Sequence, residues 1–316
     1  MGKSTLKGKD LLTLEELSTS EVDEILATAL RLKEERKKGV VKSDLIGGKS
    51  IALIFEKPST RTRVSFDVAA YELGGNPIYM DVSETQLGRG EPIKDFARVL
   101  SRYVHCIVAR VYKQSTLEEM ARYSDKPVIN ALSDDFHPTQ LLADLMTILE
   151  LRGRLRGVKV AFVGDGSWNM ANTWLYAAAK VGVDLTLACP DLLRPREEYL
   201  TKALKMAQET GARIEVISSP QEAVRDADVI YTDVWTSMGQ EAQRESMLKA
   251  LSSYTVRGEL LPLAKQDVIF MHPLPAHRGE EVEEDVIEGR RSVVFDQAEN
   301  KLHVAKALLY LMLSGM

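Results

Sequence analysis

The chain has few cysteines and no long apolar run. Its two cysteines, Cys106 and Cys189, are too few for a disulfide framework or a structural zinc site, and each lies in an apolar, strand-like segment where a small buried side chain fits. No stretch approaches the roughly 20 apolar residues of a membrane span, and no N-terminal run resembles a signal peptide. We therefore expect a cytoplasmic protein.

The chain also lacks an excess of positive charge. Its formal net charge is -5 at pH 7, whereas a nucleic-acid-binding protein usually carries a basic face. It has no internal repeat and no low-complexity linker, and its hydrophobic content of 45% is ordinary for a globular protein. Because domains typically hold roughly 100–200 residues, the length of 316 residues predicts two of them.

Strand-like runs rich in Val and Ile alternate with helical runs, which predicts an α/β fold of two domains, each a parallel sheet flanked by helices. One predicted helix, Thr139–Arg152, has no adjacent strand, so we place the domain boundary there. We expect a first domain over residues 1–150, a second over 151–300, and a C-terminal helix, 301–316, that packs back onto the first. The predicted strands are Ile51–Phe55, Ile78–Met80, Ile107–Val111, Val128–Asn130, Val158–Val163, Leu185–Ala188, Ile214–Ile217, Val229–Thr232, Val268–Met271 and Val293–Phe295.

The polar motifs of the chain follow predicted strands. In open parallel sheets, ligands bind beyond the carboxyl ends of the strands. We therefore expect an active site in the cleft between the two domains.

The most informative motif is the run Ser59–Arg63, Ser-Thr-Arg-Thr-Arg, between the strand Ile51–Phe55 and a predicted helix, Ser65–Leu73. The N–H groups and the dipole of a helix start favour an anion, the hydroxyls add donors, and Arg61 or Arg63 adds a fork suited to phosphate. The run lacks the glycines of a nucleotide P-loop. It predicts a phosphate site, and the alternative is a capped surface helix with two exposed arginines.

Two further clusters offer hydrogen-bond donors. Arg110 lies near the end of the strand Ile107–Val111, where a buried charge is costly without an anionic partner. His137 precedes the helix Thr139–Arg152 and can donate to a carbonyl oxygen, with Gln140 on the same face. A structural ion pair for Arg110 and a helix cap for His137 are the alternatives.

Two loops in the second half suit an amino acid and an NH2 group. Asp233–Gly239 offers a carboxylate and a hydroxyl for an ammonium group and a carboxylate, although a turn stabilised by Asp and Ser would look the same. His272–Gly279 contains two prolines, which withdraw N–H donors, so we expect its carbonyl oxygens to accept hydrogen bonds from an NH2 group. His272 and His277 have no third ligand at zinc-like spacing, so we predict no metal.

One feature, Gly164-Asp165-Gly166, points to a dinucleotide. The third glycine of that fingerprint is missing, because Asn169 takes its place. A nicotinamide dehydrogenase would rest on this run alone. The other clusters together describe a phosphate site, donors for a carbonyl oxygen, acceptors for an NH2 group and an amino-acid site, which matches carbamoyl phosphate meeting an amino acid.

The chain resembles the aspartate/ornithine carbamoyltransferase family over nearly its full length, and the ornithine branch most closely. Four ordered motifs carry the resemblance: Ser59–Arg63, His137–Gln140, Asp233–Gly239 and Ala298–His303. It implies transfer of the carbamoyl group from carbamoyl phosphate to the δ-amine of L-ornithine, giving L-citrulline and phosphate, in arginine biosynthesis or in arginine and ornithine catabolism. It also implies no metal or organic cofactor, and a homo-oligomer that is a trimer or a multiple of trimers.

The resemblance implies a role for each matching residue, and Gln86 resembles a residue that reaches the neighbouring subunit's site. The implied catalytic residues are Arg61, Arg110, His137, Pro273 and Leu274. The implied carbamoyl-phosphate ligands are Ser59, Thr60, Arg61, Thr62, Gln86, Arg110, His137, Gln140, Pro273, Leu274 and Lys301. The implied ornithine ligands are Asn169, Asn172, Asp233, Ser237 and Met238.

Three departures from the family pattern leave the acceptor amine open. Pro273 stands where ornithine enzymes usually have a cysteine, Trp168 lengthens the Gly-Asp-Gly run by one residue, and Lys301 replaces an arginine. The alternatives are a carbamoyltransferase for another amine, such as lysine, putrescine or aspartate, and a catalytically silent paralogue that binds carbamoyl phosphate. The sequence does not choose between Asn169 and Asn172 for the substrate carboxylate.

Overall fold

The computed structural model describes residues 5–236 and 244–314. The chain divides into two compact units. Unit 1 is formed by the residues up to Met146 together with those from Glu299 onward, and unit 2 by Thr147–Ala298. No helix of the described residues combines the length and the apolar character needed to cross a membrane.

Unit 1 contains a four-stranded sheet with the strand order β2-β1-β3-β4, and every strand pair is parallel. Two short 3-10 turns, Val82–Glu84 and Leu87–Arg89, follow β2. The elements are α1 (Thr19–Lys37), β1 (Ser50–Phe55), α2 (Thr60–Glu72), β2 (Asn76–Asp81), α3 (Ile93–Leu100), β3 (Cys106–Arg110), α4 (Gln114–Tyr123), β4 (Val128–Leu132) and α5 (Pro138–Arg152), which runs on into unit 2.

The central strands of unit 1 are buried because helices cover the sheet. β1 is buried at every position except its first, and β3 at every position except its last, Arg110. Continuous apolar runs of this kind are typical of parallel strands covered on both faces. At the start of α5, Pro138 takes the first helical position, where its missing N–H costs nothing, and the His137 carbonyl accepts the N–H of Gln140 and Leu141.

Unit 2 contains a five-stranded sheet with the strand order β7-β6-β5-β8-β9, again parallel throughout. In the described part of unit 2, 3-10 turns lie at Asp191–Leu193, Ser252–Tyr254 and Gly258–Leu263. The elements are β5 (Lys159–Val163), α6 (Asn169–Val181), β6 (Asp184–Ala188), α7 (Glu197–Thr210), β7 (Ile214–Ile217), α8 (Pro220–Ala223), β8 (Val229–Tyr231), α9 (Arg244–Leu251), β9 (Ile269–Met271), α10 (Glu284–Ile287) and α11 (Val294–Leu313), which belongs to unit 1 from Glu299.

The predicted fold class is confirmed, since both sheets are parallel and flanked by helices. Three element predictions are wrong. The C-terminal helix predicted over 301–316 begins seven residues earlier, at Val294. Val293–Phe295 is not a strand: Val293 donates one backbone hydrogen bond to Phe270, and α11 begins at the next residue. The predicted helix Ser65–Leu73 begins five residues earlier than expected, at Thr60, so most of the Ser-Thr-Arg-Thr-Arg run lies inside its first turn.

Candidate active site

The strand order of unit 1 brings its polar motifs to one edge of the sheet. β1 and β3 are neighbours, and Phe55 at the end of β1 pairs with Arg110 at the end of β3. β4 lies beside β3, and His137 follows it. Between β1 and β3 the order of the strands reverses, and at such a switch point the diverging loops leave room for a ligand.

The Ser-Thr-Arg-Thr-Arg run forms the start of α2. Ser59 caps the helix, and its Oγ accepts the N–H of Thr62 at 3.3 Å. The two arginines differ: Arg63 is exposed, with its guanidinium carbon 3.5 Å from the centroid of the Tyr79 ring, whereas Arg61 is half-buried and burial lowers its pKa. The surface-helix interpretation therefore describes Arg63 and does not describe Arg61.

Arg61, Arg110, His137 and Lys301 form a cationic cluster in unit 1. Burial, together with the charge of Arg61, lowers the pKa of Arg110 to about 10. The pKa of Lys301 is lowered to about 7, chiefly by burial and also by the charges of Arg110 and Arg61, against the opposing charge of the Asp144 carboxylate. Burial, then the charges of Lys301 and Arg110, hold the pKa of His137 well below its usual value. Each cation disfavours the others, and a bound anion would relieve that repulsion.

Arg110 also carries a buried donor that the protein does not use. Its Nε has no hydrogen-bond partner among the residues that the structure describes. Buried donors are nearly always satisfied in folded proteins, so an orphaned one within a cationic cluster indicates a place for an acceptor. A phosphate or carbonyl oxygen supplies such an acceptor.

Lys301 and Gln140 are joined directly. Lys301 Nζ donates to Gln140 Oε1 at 2.6 Å, and Gln140 Nε2 donates to Asp144 Oδ1 at 2.8 Å. All three side chains are buried. Sequence reasoning missed Asp144, although its position one turn after Gln140 on α5 was a usable signal.

Gln86 is an expected carbamoyl-phosphate ligand that lies after β2, whereas the other expected ligands of unit 1 lie after β1, at the end of β3, after β4 or on α11. It is exposed and immediately precedes the turn Leu87–Arg89, after β2. Of the remaining expected ligands in this unit, Ser59 is half-buried, Thr60 is exposed and Thr62 is buried.

Unit 2 has its own switch point, between β5 and β8. The Gly164-Asp165-Gly166 run follows β5, and Asp233 follows β8. Asp233 is half-buried, and its Oδ1 accepts the N–H of Val234 at 2.8 Å. Ser237 and Met238 lie outside the described residues.

Asn169 and Asn172 lie one turn apart at the start of α6. Both are buried, and Trp168 is the residue that precedes the helix. Residues three apart share a helix face, so both amides start from the same side of α6. The structure therefore keeps both as candidates for a substrate carboxylate.

Backbone conformation at Gly164 and close packing at Gly166 account for the two glycines that suggested a dinucleotide. Gly164 has a φ of +138°, and a Cβ there would meet Thr232 and Trp235 at 3.4 Å. A Cβ on Gly166 would lie 2.7 Å from the Leu193 carbonyl oxygen. Asp165 accepts from the N–H and the hydroxyl of Ser167, and burial raises its pKa.

The segment after β9 is held by buried polar groups. Leu274 has a φ of +57°, the Leu274-Pro275 bond is cis, and the Leu274 N–H donates to His272 Nδ1 at 2.9 Å. His272 Nδ1 is therefore unprotonated, and its Nε2 donates to Glu281 Oε1 at 3.2 Å. With Pro273 and Pro275 lacking N–H groups, the segment is rich in carbonyl acceptors, as its sequence predicts.

Within the described ranges, one group of side chains has the composition of a metal site. One ligand atom each from His277, Glu280 and Glu281 lie within 4.8 Å of one another. Sequence reasoning missed the two glutamates, which stand three and four residues after His277. Arg244 already pairs with Glu280, and His277 Nδ1 lies 3.8–4.0 Å from carboxylate oxygens of Glu280 and Glu281.

Comparison with known proteins matches the chain to two domain models of one family. Residues 9–150 match the model of the aspartate/ornithine carbamoyltransferase carbamoyl-P binding domain, and residues 156–312 match that of the Asp/Orn binding domain. Ornithine carbamoyltransferase of Archaeoglobus fulgidus is 55% identical over 95% of this chain and 96% of its own length. The one of Hyperthermus butylicus is 54% identical over 98% of each.

Solved structures of ornithine carbamoyltransferases share the fold of this chain. Ornithine carbamoyltransferase from Pyrococcus furiosus superposes with a TM-score of 0.95 at 50% identity, covering 100% of both chains. The anabolic ornithine carbamoyltransferase from Campylobacter jejuni gives 0.90 at 42% identity, over 95% of this chain and 97% of its own. On its two matched domains and these relatives, the chain belongs to the aspartate/ornithine carbamoyltransferase family.

Proposed function

We propose that this enzyme transfers the carbamoyl group of carbamoyl phosphate to the δ-amine of L-ornithine, giving L-citrulline and phosphate. The observation that carries the proposal is the cluster of the cations Arg61, Arg110 and Lys301 with the neutral His137, because a phosphate would neutralise the repulsion between the three cations. The relatives' names specify ornithine as the acceptor.

In this proposal unit 1 holds carbamoyl phosphate. Ser59, Thr60, Arg61 and Thr62 bind the phosphate with hydroxyls, first-turn N–H groups and a guanidinium. Arg110, His137 and Gln140 bind the carbamoyl oxygen and neighbouring phosphate oxygens. Lys301 adds charge beside Gln140, and Gln86 serves the site of a neighbouring subunit. The Pro273 and Leu274 carbonyls accept the carbamoyl NH2.

Ornithine is assigned to groups of unit 2. The Asp233 carboxylate suits the α-ammonium group, and Asn169 or Asn172 suits the α-carboxylate. Ser237 and Met238 are also assigned to ornithine, on their place in the Asp233–Gly239 motif alone.

The reaction follows from these positions. The neutral δ-amine attacks the carbamoyl carbon, and the carbamoyl oxygen becomes negative as the C–N bond forms. Arg110 and the neutral His137 donate hydrogen bonds to that oxygen, where fixed donors lower the barrier most. The C–O bond to phosphate then breaks, and the proton that the attacking amine loses passes to the leaving phosphate, which is already paired with the α2 start. Arg61, Arg110, His137, Pro273 and Leu274 are therefore the catalytic residues of the proposal.

The test is citrulline formation with a panel of amines. Purified enzyme receives carbamoyl phosphate with ornithine, lysine, putrescine or aspartate, and each carbamoylated product is measured separately. We expect ornithine to be the preferred acceptor. Preference for another amine would reject ornithine while keeping the chemistry, and phosphate binding without any product would identify a silent paralogue.

We further propose that the enzyme is a homotrimer or a multiple of trimers. Support comes from large apolar side chains exposed on α2, on α3 and just after it: Val64, Tyr71, Val99 and Tyr103 are 47–73% exposed. Exposed apolar groups at such density mark interaction surfaces. Sedimentation equilibrium at several protein concentrations measures the assembly, and a monomer at all concentrations would refute it.

The cellular setting is proposed on similar grounds. A relative named anabolic favours arginine biosynthesis over catabolism. Two buried free thiols are compatible with a cytoplasmic location, where thiols stay reduced.

A further inference from the structure

Lys57 is a buried ammonium that the proposed mechanism does not use. It lies two residues after the end of β1 and two before the α2 cap, and it is 3% exposed. Its Nζ donates to Asp134 Oδ1 and lies 4.3 Å from the centroid of the Tyr112 ring. A buried ammonium is costly unless it is paired, so its contacts here are unlike those of a surface lysine.

The contacts of Lys57 belong to a set of interactions that connects the loops after β1, β3 and β4. Glu56 donates its N–H to the Arg110 carbonyl at 2.8 Å, and the Glu56 carboxylate accepts the N–H of Tyr112 at 2.8 Å. Asp134 donates its N–H to the Tyr112 carbonyl at 2.8 Å. Lys57 closes the set, because it joins the loop after β1 to the loop after β4.

Each of these loops leads directly to a member of the cationic cluster. Arg61 follows Lys57 by four residues, Arg110 precedes Tyr112 by two, and His137 follows Asp134 by three. The positive charges of Arg61 and Arg110 repel each other when no anion is bound, which favours separation of the loop after β1 from its neighbours. A tie between the loops after β1 and β4 opposes that separation.

We propose that Lys57, through Asp134, is a positioning residue that holds Arg61 and His137 at the spacing required by carbamoyl phosphate. The inference rests on the proposed function of the cationic cluster. Lys57 acts through the loops that it joins.

One variant separates position from charge. If Lys57 acted only as a nearby positive charge, Asp134→Asn would remove an opposing negative charge and tighten phosphate binding. If the pair positions the loops, Asp134→Asn weakens binding, as Lys57→Gln does. Because Asp134 is 32% exposed at its side chain and Asn has the same shape, this variant is the one best able to fold.

The experiment measures inorganic phosphate binding by titration calorimetry for the parent, Lys57→Gln, Asp134→Asn and the double variant. We expect each single change to raise Kd roughly 10- to 100-fold, the cost typical of catalytic groups displaced by about 1 Å. The phosphate Kd of the double variant should be no higher than that of the weaker-binding single variant, because both changes break the same Lys57–Asp134 pair. The KM for ornithine at saturating carbamoyl phosphate should change much less.

Lys306→Gln is the matched control. Lys306 pairs with Glu72 at 2.8 Å, and both side chains are buried in the same unit. This change should lower the thermal midpoint of unfolding and leave the phosphate Kd within about twofold, because additivity holds for sites without shared partners. A loss of stability alone is thereby separated from a loss of positioning.

The outcomes are distinct. Tighter binding by Asp134→Asn, unchanged binding by both single variants, or an equal loss in Lys306→Gln would overturn the positioning role. If Lys57→Gln does not fold, Asp134→Asn decides by the sign of its effect. If the parent makes no citrulline and binds no phosphate, the proposed function fails first, and the inference falls with it.

Discussion

Phosphate binding should place a proton on Lys301. The pKa of Lys301 is about 7 in the free protein because the group is buried and faces Arg110 and Arg61, with Asp144 as the opposing charge and His137 in the same cluster. A bound phosphate adds negative charge to the surroundings of the Lys301 ammonium. It should therefore raise the pKa of Lys301 in the complex.

The size of the effect follows from Coulomb's law. One charge about 4 Å from the ammonium contributes about 4 kcal/mol at an effective dielectric constant of about 20, or about three pKa units. A rise of about two units would leave Lys301 about one-tenth charged in the free protein and about nine-tenths in the complex at about pH 8, so about 0.8 proton is taken up.

The sign of the pH dependence is fixed by the same shift. Because the pKa of Lys301 is higher in the complex, its contribution to affinity is fully present below about pH 7. That contribution is lost as the pH rises from about 7 toward the pKa of the complex, by up to about tenfold per pH unit.

Calorimetry in two buffers of different ionisation enthalpy measures the protons taken up. The comparison is between the parent and Lys301→Met at about pH 8, which cancels the ionisation of phosphate itself. Lys301→Arg serves as a second control, since its charge is permanent. Equal proton uptake in the parent and in Lys301→Met would refute the reasoning, because the proton would then belong to another group.

Three further changes test the remaining assignments. Arg61→Ala should lower turnover by roughly 30- to 1000-fold, on a loss of about 2–4 kcal/mol of transition-state stabilisation; Arg63→Ala, whose guanidinium stacks on Tyr79, should lose far less, and similar losses would contradict the distinction. Asp233→Asn should raise the KM for ornithine far more than that for carbamoyl phosphate, and equal effects would remove Asp233 from the ornithine site. Pro273→Cys should change the pH–rate profile for ornithine more than the affinity for carbamoyl phosphate; a reversed pattern would show that the segment does not act through its carbonyls.

Elements with strong periodicity could be predicted, and their ends could not. The run Val293–Phe295 has the composition of a buried strand, and its first residue does make one strand-like hydrogen bond to Phe270. The helix that follows accepts at Val293 from Gln297, so tertiary context ends the strand after one residue. The start of α2 was misplaced for a related reason, since Ser59 is a good helix cap but Ser, Thr and Arg carry no apolar period.

Within the candidate site, local motifs could be predicted and long-range partners could not. The Ser-Thr-Arg-Thr-Arg run and His137 carry their own local signals. Gln140 and Lys301 are 161 residues apart, and their hydrogen bond depends on α11 reaching α5 within unit 1. Lys57 and Asp134, 77 residues apart, are likewise paired only by the order of β1, β3 and β4.

The cationic cluster also limits how stable unit 1 can be without a ligand. Folding lowers the pKa of Lys301 from its ordinary value of 10.5 to about 7, chiefly through burial. The resulting loss of folding stability is complete below about pH 7 and fades as the pH rises toward 10.5. Repulsion of this kind favours loops that separate, and binding of an anion reverses it. A tie such as Lys57–Asp134 then has a specific use. It keeps Arg61 and His137 at their spacing while the nearby cations repel one another, so that phosphate meets a site already formed and less binding energy goes into assembling it.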